Sequence, residues 1–146
     1  MRLGARACLN EAERITVIRM RHFMIALALF ASACTPKIAG ELQVDGALFA
    51  ISGCRSGQAL GFSGVLFQGQ DGRTIRVLAN PDGTCGAALF PAGATIGDNL
   101  GTCGQLAMQA QPSRINNIVN IKGMATLTCD AAGHKVIGSV KFENCH

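Results

Sequence analysis

The stretch Lys135-Val136-Ile137-Gly138-Ser139-Val140-Lys141-Phe142-Glu143 decides how the rest of the chain is read. Val136, Val140 and Phe142 fall on one side, and Lys135, Ser139, Lys141 and Glu143 on the other. A period of two belongs to an extended strand with one face on a core and one in water. Working backwards, Gln105 to Gln111 alternates polar with apolar, and Val119, Ile121, Ala125 and Leu127 share one face of a longer strand. Asp130-Ala131-Ala132-Gly133 reverses the chain between that strand and the last one.

The same pattern runs through the earlier part of the chain. Leu42, Val44 and Leu48 alternate with polar neighbours before the phase shifts to Phe49 and Ile51. Leu60, Phe62 and Leu66 are read as one strand face, and Ile75 with Val77 as another. Between them Asp71-Gly72 predicts a type I′ hairpin, whose two central residues both need positive φ. Asn80-Pro81-Asp82-Gly83 is a second turn, with proline presetting φ and glycine tolerating the exit. A short strand over residues 85–90 then stops at Pro91-Ala92-Gly93, and the glycines inside strands (Gly64, Gly123, Gly138) read as bulges or bends. From residue 34 onward no window of 11 residues is convincingly amphipathic as a helix. The expectation is an all-β domain, a small antiparallel β-sandwich or barrel of about six to eight strands. An immunoglobulin-like domain is not supported, because the chain has no Trp for its core and no Tyr for its corner.

Composition agrees with a folded chain of one domain. The 146 residues are 49% hydrophobic and 15% charged, with 18 Gly, which excludes the low-hydrophobicity, high-charge signature of disorder. The formal net charge of +4 is concentrated before residue 34. The 113 residues from Cys34 on carry eight Lys or Arg against seven Asp or Glu, so the basic footprint of a nucleic-acid binder is missing and no nucleic-acid partner is expected.

The amino-terminal segment reads as targeting sequence. Arg19-Met20-Arg21-His22 precedes the apolar run Phe23 to Phe30, then Ala31-Ser32-Ala33-Cys34. That run is far short of the roughly 20 apolar residues that span a bilayer. Small residues ending in a cysteine resemble the lipobox of bacterial lipoproteins, although Ala31 stands where that family commonly has Leu. The resemblance implies that Cys34 receives a diacylglyceryl group and becomes the new amino terminus. It also implies the outer membrane as destination, since Thr35 rather than Asp follows the cysteine. The alternative is an ordinary signal cut after Ala33 or nearby, releasing a free product. Residues 1–19, with Cys8, Glu11 and Glu13, fit poorly ahead of such a signal, and initiation at Met20 or at a codon such as that of Val17 explains them better. The expected organisation is an upstream extension and signal over 1–33, a lipidated cysteine and tether over 34–40, and one β domain over 41–146.

Five cysteines follow Cys34, and export to an oxidising compartment makes disulfides their default state. Cys54, Cys103, Cys129 and Cys145 are the disulfide candidates, with the pairing open, and Cys85 is the expected free thiol because it sits within a short apolar strand. A metal site is not expected: no Cys-x-x-Cys occurs, and Cys145-His146 lacks the context of a haem attachment motif. His134 reads as an exposed histidine in a turn. No catalytic set is nominated either. Gly61-Phe62-Ser63-Gly64 is not a nucleophile elbow and reads as strand, with Ser63 pointing outward, and Glu41, Asp45, Asp98 and Glu143 are widely separated. No phosphate loop, dinucleotide fingerprint or EF-hand appears, and no cofactor is expected.

Two segments stand out as candidate surfaces. Arg114 to Asn120 places three Asn beside apolar residues, whose amides are expected to bond local backbone at a turn. The stretch from Gly93 to Gly104 reads as a glycine-rich loop. The functional expectation is a lipid-anchored cell-envelope β domain with a binding or structural role. It would be held to the membrane by the anchor and would face an envelope protein or polysaccharide. The alternative is a periplasmic enzyme inhibitor or small-ligand carrier. The small β-barrel lipoproteins that inhibit lysozymes are similar in architecture, but their inhibitory motif is not found here.

Overall fold

A computed structural model describes residues 35–146, which hold the compact unit Pro36–His146. Residues 1–34, with the segment read from the sequence as a signal and the lipidation candidate Cys34, lie outside the described residues. The chain runs through β1 (Lys37–Val44), β2 (Ala47–Phe49), β3 (Ile51–Ser56), a 3-10 turn (Gly57–Leu60), β4 (Gly64–Gly69), β5 (Thr74–Ala79), β6 (Thr84–Phe90), β7 (Asp98–Ile115), β8 (Ile118–Ala131) and β9 (His134–Cys145). The only helical element among the described residues is that 3-10 turn, and none is long and apolar enough to cross a membrane.

All nine strands form one antiparallel sheet in the order β2-β1-β9-β8-β7-β6-β5-β4-β3. The two outermost strands, β2 and β3, are separated in sequence only by Ala50. One bent segment therefore pairs with β1 through its first part and with β4 through its second, and the sheet curls until it is nearly closed into a barrel. Counted that way it is an eight-stranded meander whose one long-range pairing is β1 with β9. At eight strands a barrel interior is just wide enough to be filled by side chains. It is filled here: Leu42, Val44, Phe49, Val65, Phe67, Ile75, Val77, Leu127, Val136, Val140 and Phe142 are buried, with the Phe67 and Phe142 rings edge to face at 5.6 Å.

Three hairpins use two-residue turns with both φ values positive: Asp45-Gly46, Asn116-Asn117 and Ala132-Gly133. Primed turns match the right-handed twist of the strands they join. The Asp71-Gly72 hairpin is present in a different geometry from the type I′ turn expected. Its loop runs from residue 70 to 73, only Gly72 has positive φ, and Gly69 N–H donates to the Arg73 carbonyl at 2.8 Å. The turn at Asp45-Gly46 also explains a phase error. It flips the alternation between β1 and β2, so Phe49 is buried and Leu48 is 59% exposed.

Four other expectations are corrected. Leu60 and Phe62 are not strand residues, since the 3-10 turn and a bend occupy that segment before β4 begins at Gly64. Ser63 lies in the same bend. Strand β7 starts at Asp98, which leaves residues 91–97 as the loop. Strand β1 starts at Lys37, inside the stretch read as tether, because Lys37 to Gly40 pair with Glu143 to Val140 of β9. Among the strand glycines, Gly138 has φ +142, and a Cβ there would run into the Glu41 carbonyl across the β1–β9 pair. Bare backbone is what lets those two strands approach.

Candidate functional site

The cysteines fix the walls of the barrel first. Cys54 of β3 bridges Cys145 of β9, and Cys103 of β7 bridges Cys129 of β8. The first bridge ties an outermost strand of the sheet to a strand on the other side of the seam. Cys85 is free and buried, and burial pushes its thiol above the usual value, away from the reactive thiolate. The four bridged residues are the four singled out from the sequence.

One end of the barrel carries a concave mouth of about 260 Å³, lined by Ser56, Gln58, Phe62, Ser63, Gly64, Met108, Ala110, Val119 and Ile121. Local structure shapes both of its sides. On one, the 3-10 turn ends at Gly61 in the left-handed region (φ +79), and Phe62 folds back so that its N–H donates to the Gly57 carbonyl at 3.0 Å. A side chain at Gly57 would collide with the Phe62 ring, so glycine there is what lets the ring lie flat. On the other side β7 bulges between Ala110 and Arg114, with Gln111, Pro112 and Ser113 facing the single residue Asn120. A bulge bends its strand and re-aims neighbouring side chains.

That bulge is held by amides. Asn120 is buried and its Nδ2 donates to Ser113 Oγ at 2.9 Å, while its Oδ1 is buried without a partner. Gln111 makes a two-point contact with Asn144: its Nε2 donates to Asn144 Oδ1 at 3.1 Å, and its Oε1 accepts from the Asn144 N–H at 2.9 Å. The asparagines were expected to bond local backbone. Instead Asn116 and Asn117 supply positive φ, and Asn120 bonds a side chain across the bulge.

His134 is not the solvated turn residue expected. It opens β9, its side chain is 33% exposed, and it stands between two carboxylates: Nδ1 is 2.8 Å from Asp45 Oδ2 and Nε2 is 3.6 Å from Asp98 Oδ2. Asp45 Oδ1 also accepts from the Lys135 backbone N–H at 2.8 Å. This set pins the β1–β2 turn, the β8–β9 turn and the start of β7 to one another. Among the described residues no three His, Cys, Asp or Glu side chains are placed to hold a metal ion.

The Lys135 N–H, and after it the His134 ring, hold the Asp45 carboxyl below its ordinary value of 3.8. A depressed carboxylate stabilises the fold above its unfolded pKa, and that contribution is lost as pH falls through the lower folded value. Replacing Asp45 with Asn, which also tolerates positive φ, is expected to flatten the acid limb of stability below about pH 4. Melting midpoints of both proteins between neutral pH and pH 2.5 check this; parallel curves would exclude a role for the ionised carboxylate.

On the outer wall Arg76 of β5 lies between two rings, its guanidinium carbon 5.0 Å from the Phe62 centroid and 4.8 Å from that of Phe90. Each such contact is worth roughly 0.5 to 2 kcal/mol. Neither this sandwich nor the Asp45–His134–Asp98 set has a signal in linear order, since their members come together only when the sheet curls.

The fold and the mouth together define a class of object: a filled, doubly bridged and nearly closed β-barrel with a small apolar depression at one end. No protein-family model, curated protein or solved structure matches the chain.

Proposed function

We propose that this chain is a lipid-anchored cell-envelope β domain that works by binding, with the mouth at the end of the barrel as its contact point. One observation carries the reading. The depression is lined by Met108, Phe62, Val119, Ala110 and Ile121 together with Ser56, Gln58, Ser63 and Gly64, and includes no titratable side chain. Apolar walls with a few polar groups among them suit an inserted apolar group. Methionine adds an unbranched, polarisable surface that adapts to its occupant.

The volume narrows the choice of occupant. About 260 Å³ lies just below the range of roughly 300 to 1,000 Å³ typical of small-molecule sites. It suits one apolar side chain of an envelope partner, and an enzyme inhibitor is the form this takes if the partner is an enzyme. A small-ligand carrier is the second reading, favoured by the same apolar lining and limited by the filled interior to molecules that stay at the mouth.

The test uses protein labelled with 13C at the methionine methyls and indole as a small apolar probe. The Met108 methyl is expected to shift saturably, and Val119→Glu, which puts a charge into the same depression and keeps the reporter, to abolish the shift while both disulfides form. A Met108 resonance unmoved up to the solubility of indole would sink the mouth as a binding site.

A further inference from the structure

The wall of β3 to β6 carries cations that nothing in the domain neutralises. Arg55, Leu66, Arg76 and Ala88 form one row across these four strands, in register Arg55–Leu66, Leu66–Arg76 and Arg76–Ala88. Strands lie about 4.8 Å apart, so the two arginines flank Leu66 at roughly 10 Å. The outward positions of these strands include no Asp or Glu. The nearest carboxylates along the chain sit in turns and are already engaged, Asp71 with Arg73 and Asp82 with Thr84. The β1–β9 side differs, since Lys37 there stands opposite Glu143.

Arg76 is also held ready. Its guanidinium is fixed between Phe62 and Phe90, it makes no hydrogen bond or ion pair among the described residues, and its Nε is buried without an acceptor. An ordinary surface arginine loses rotamer freedom when it docks; one clamped by two rings has lost most of it already. A planar fork with free terminal nitrogens matches a carboxylate, and arginine beside aromatic rings is the composition of an interface anchor. Two cations are too few for an anionic membrane surface, which is read by clusters of about four to eight.

We propose that this outer wall is a recognition face for an acidic protein segment, with a partner carboxylate meeting the terminal nitrogens of Arg76 and a neighbouring apolar side chain resting on the edges of Phe62 and Phe90. The face is separate from the mouth, although Phe62 borders both.

The test is an NMR titration of 15N-labelled protein with its disulfides intact. The buried Arg76 Nε–H is shielded from solvent exchange and serves as the reporter. The probes are N-acetyl-Leu-Glu-amide, its Leu-Gln counterpart and inorganic phosphate. The Glu peptide is expected to shift Arg76 Nε–H saturably with a Kd of the order of millimolar, and the Gln peptide to bind at least about tenfold more weakly. Both variants lack that reporter, so their binding is read at the backbone N–H groups of Leu66 and Ala88 beside position 76, which shift with the Glu peptide in the parent. Arg76→Gln is expected to remove this response and Arg76→Lys, which keeps the charge without the fork, to weaken it at least about threefold. Should Arg76→Gln fail to fold, Arg76→Lys and the Glu-against-Gln comparison decide. Equal binding of the two peptides, phosphate binding as tightly as the Glu peptide, or shifts at Met108 in place of Arg76 would each overturn the proposal.

Discussion

Replacing Cys54 and Cys145 together by Ala is expected to lower stability by about 4 to 5 kcal/mol, against about 3.5 kcal/mol for the Cys103 and Cys129 pair. A cross-link stabilises by removing conformations from the unfolded chain, and more so for longer loops. The two bridges span 91 and 26 residues. The longer one has a second effect in the folded state. The sheet closes through a bent segment whose pairing with β1 covers only three residues, Ala47 to Phe49, and the Cys54–Cys145 bridge crosses near that seam. Guanidinium unfolding midpoints of the two double variants, measured beside the parent, check the order. Equal losses would mean that neither loop length nor the seam sets the contribution of the longer bridge.

Replacing Cys34 by Ala is expected to move the protein almost completely from the membrane fraction to the soluble fraction. Each buried methylene of an acyl chain contributes about 0.8 kcal/mol of membrane affinity, and two chains give stable anchoring where one gives a reversible association. The apolar run Phe23 to Phe30 is too short to span a bilayer. Ala31-Ser32-Ala33 remains as a cleavage site for an ordinary signal peptidase, so the variant is released rather than retained by its leader. Intact mass of the parent, isolated from membranes without reduction, should show an amino-terminal Cys34 carrying a diacylglyceryl group and two disulfides. An unmodified product in the soluble fraction would overturn the anchor and leave a freely diffusing domain.

Most strands are legible in linear order because each shows its own alternation. Val136, Val140 and Phe142 are buried, and Lys135, Ser139 and Lys141 lie on the other face. Closure is not legible, because it depends on a bend at Ala50 that lets one short segment pair with both ends of the sheet. The 3-10 turn was masked for a related reason. Leu60, Phe62 and Leu66 have strand spacing, but Phe62 is drawn back over Gly57, and no local pattern encodes that contact. The candidate sites are less legible still. Met108 and Val119 read simply as strand residues, and only the folded sheet shows them lining a common depression. Arg76 is separated from each of its rings by 14 residues and reads as an ordinary outward cation.

The nesting of the two bridges has a consequence for how the domain is made. A chain delivered from its amino terminus presents Cys54 first, and the next thiol to emerge is Cys85, not its partner. An oxidant acting on cysteines in order of appearance would join those two and trap the barrel open. The native bond waits for β9, which also supplies the long-range pairing of β1. On the export reading proposed above, the native bond is expected to form only after the whole chain has been delivered, with a disulfide isomerase needed beside the oxidase.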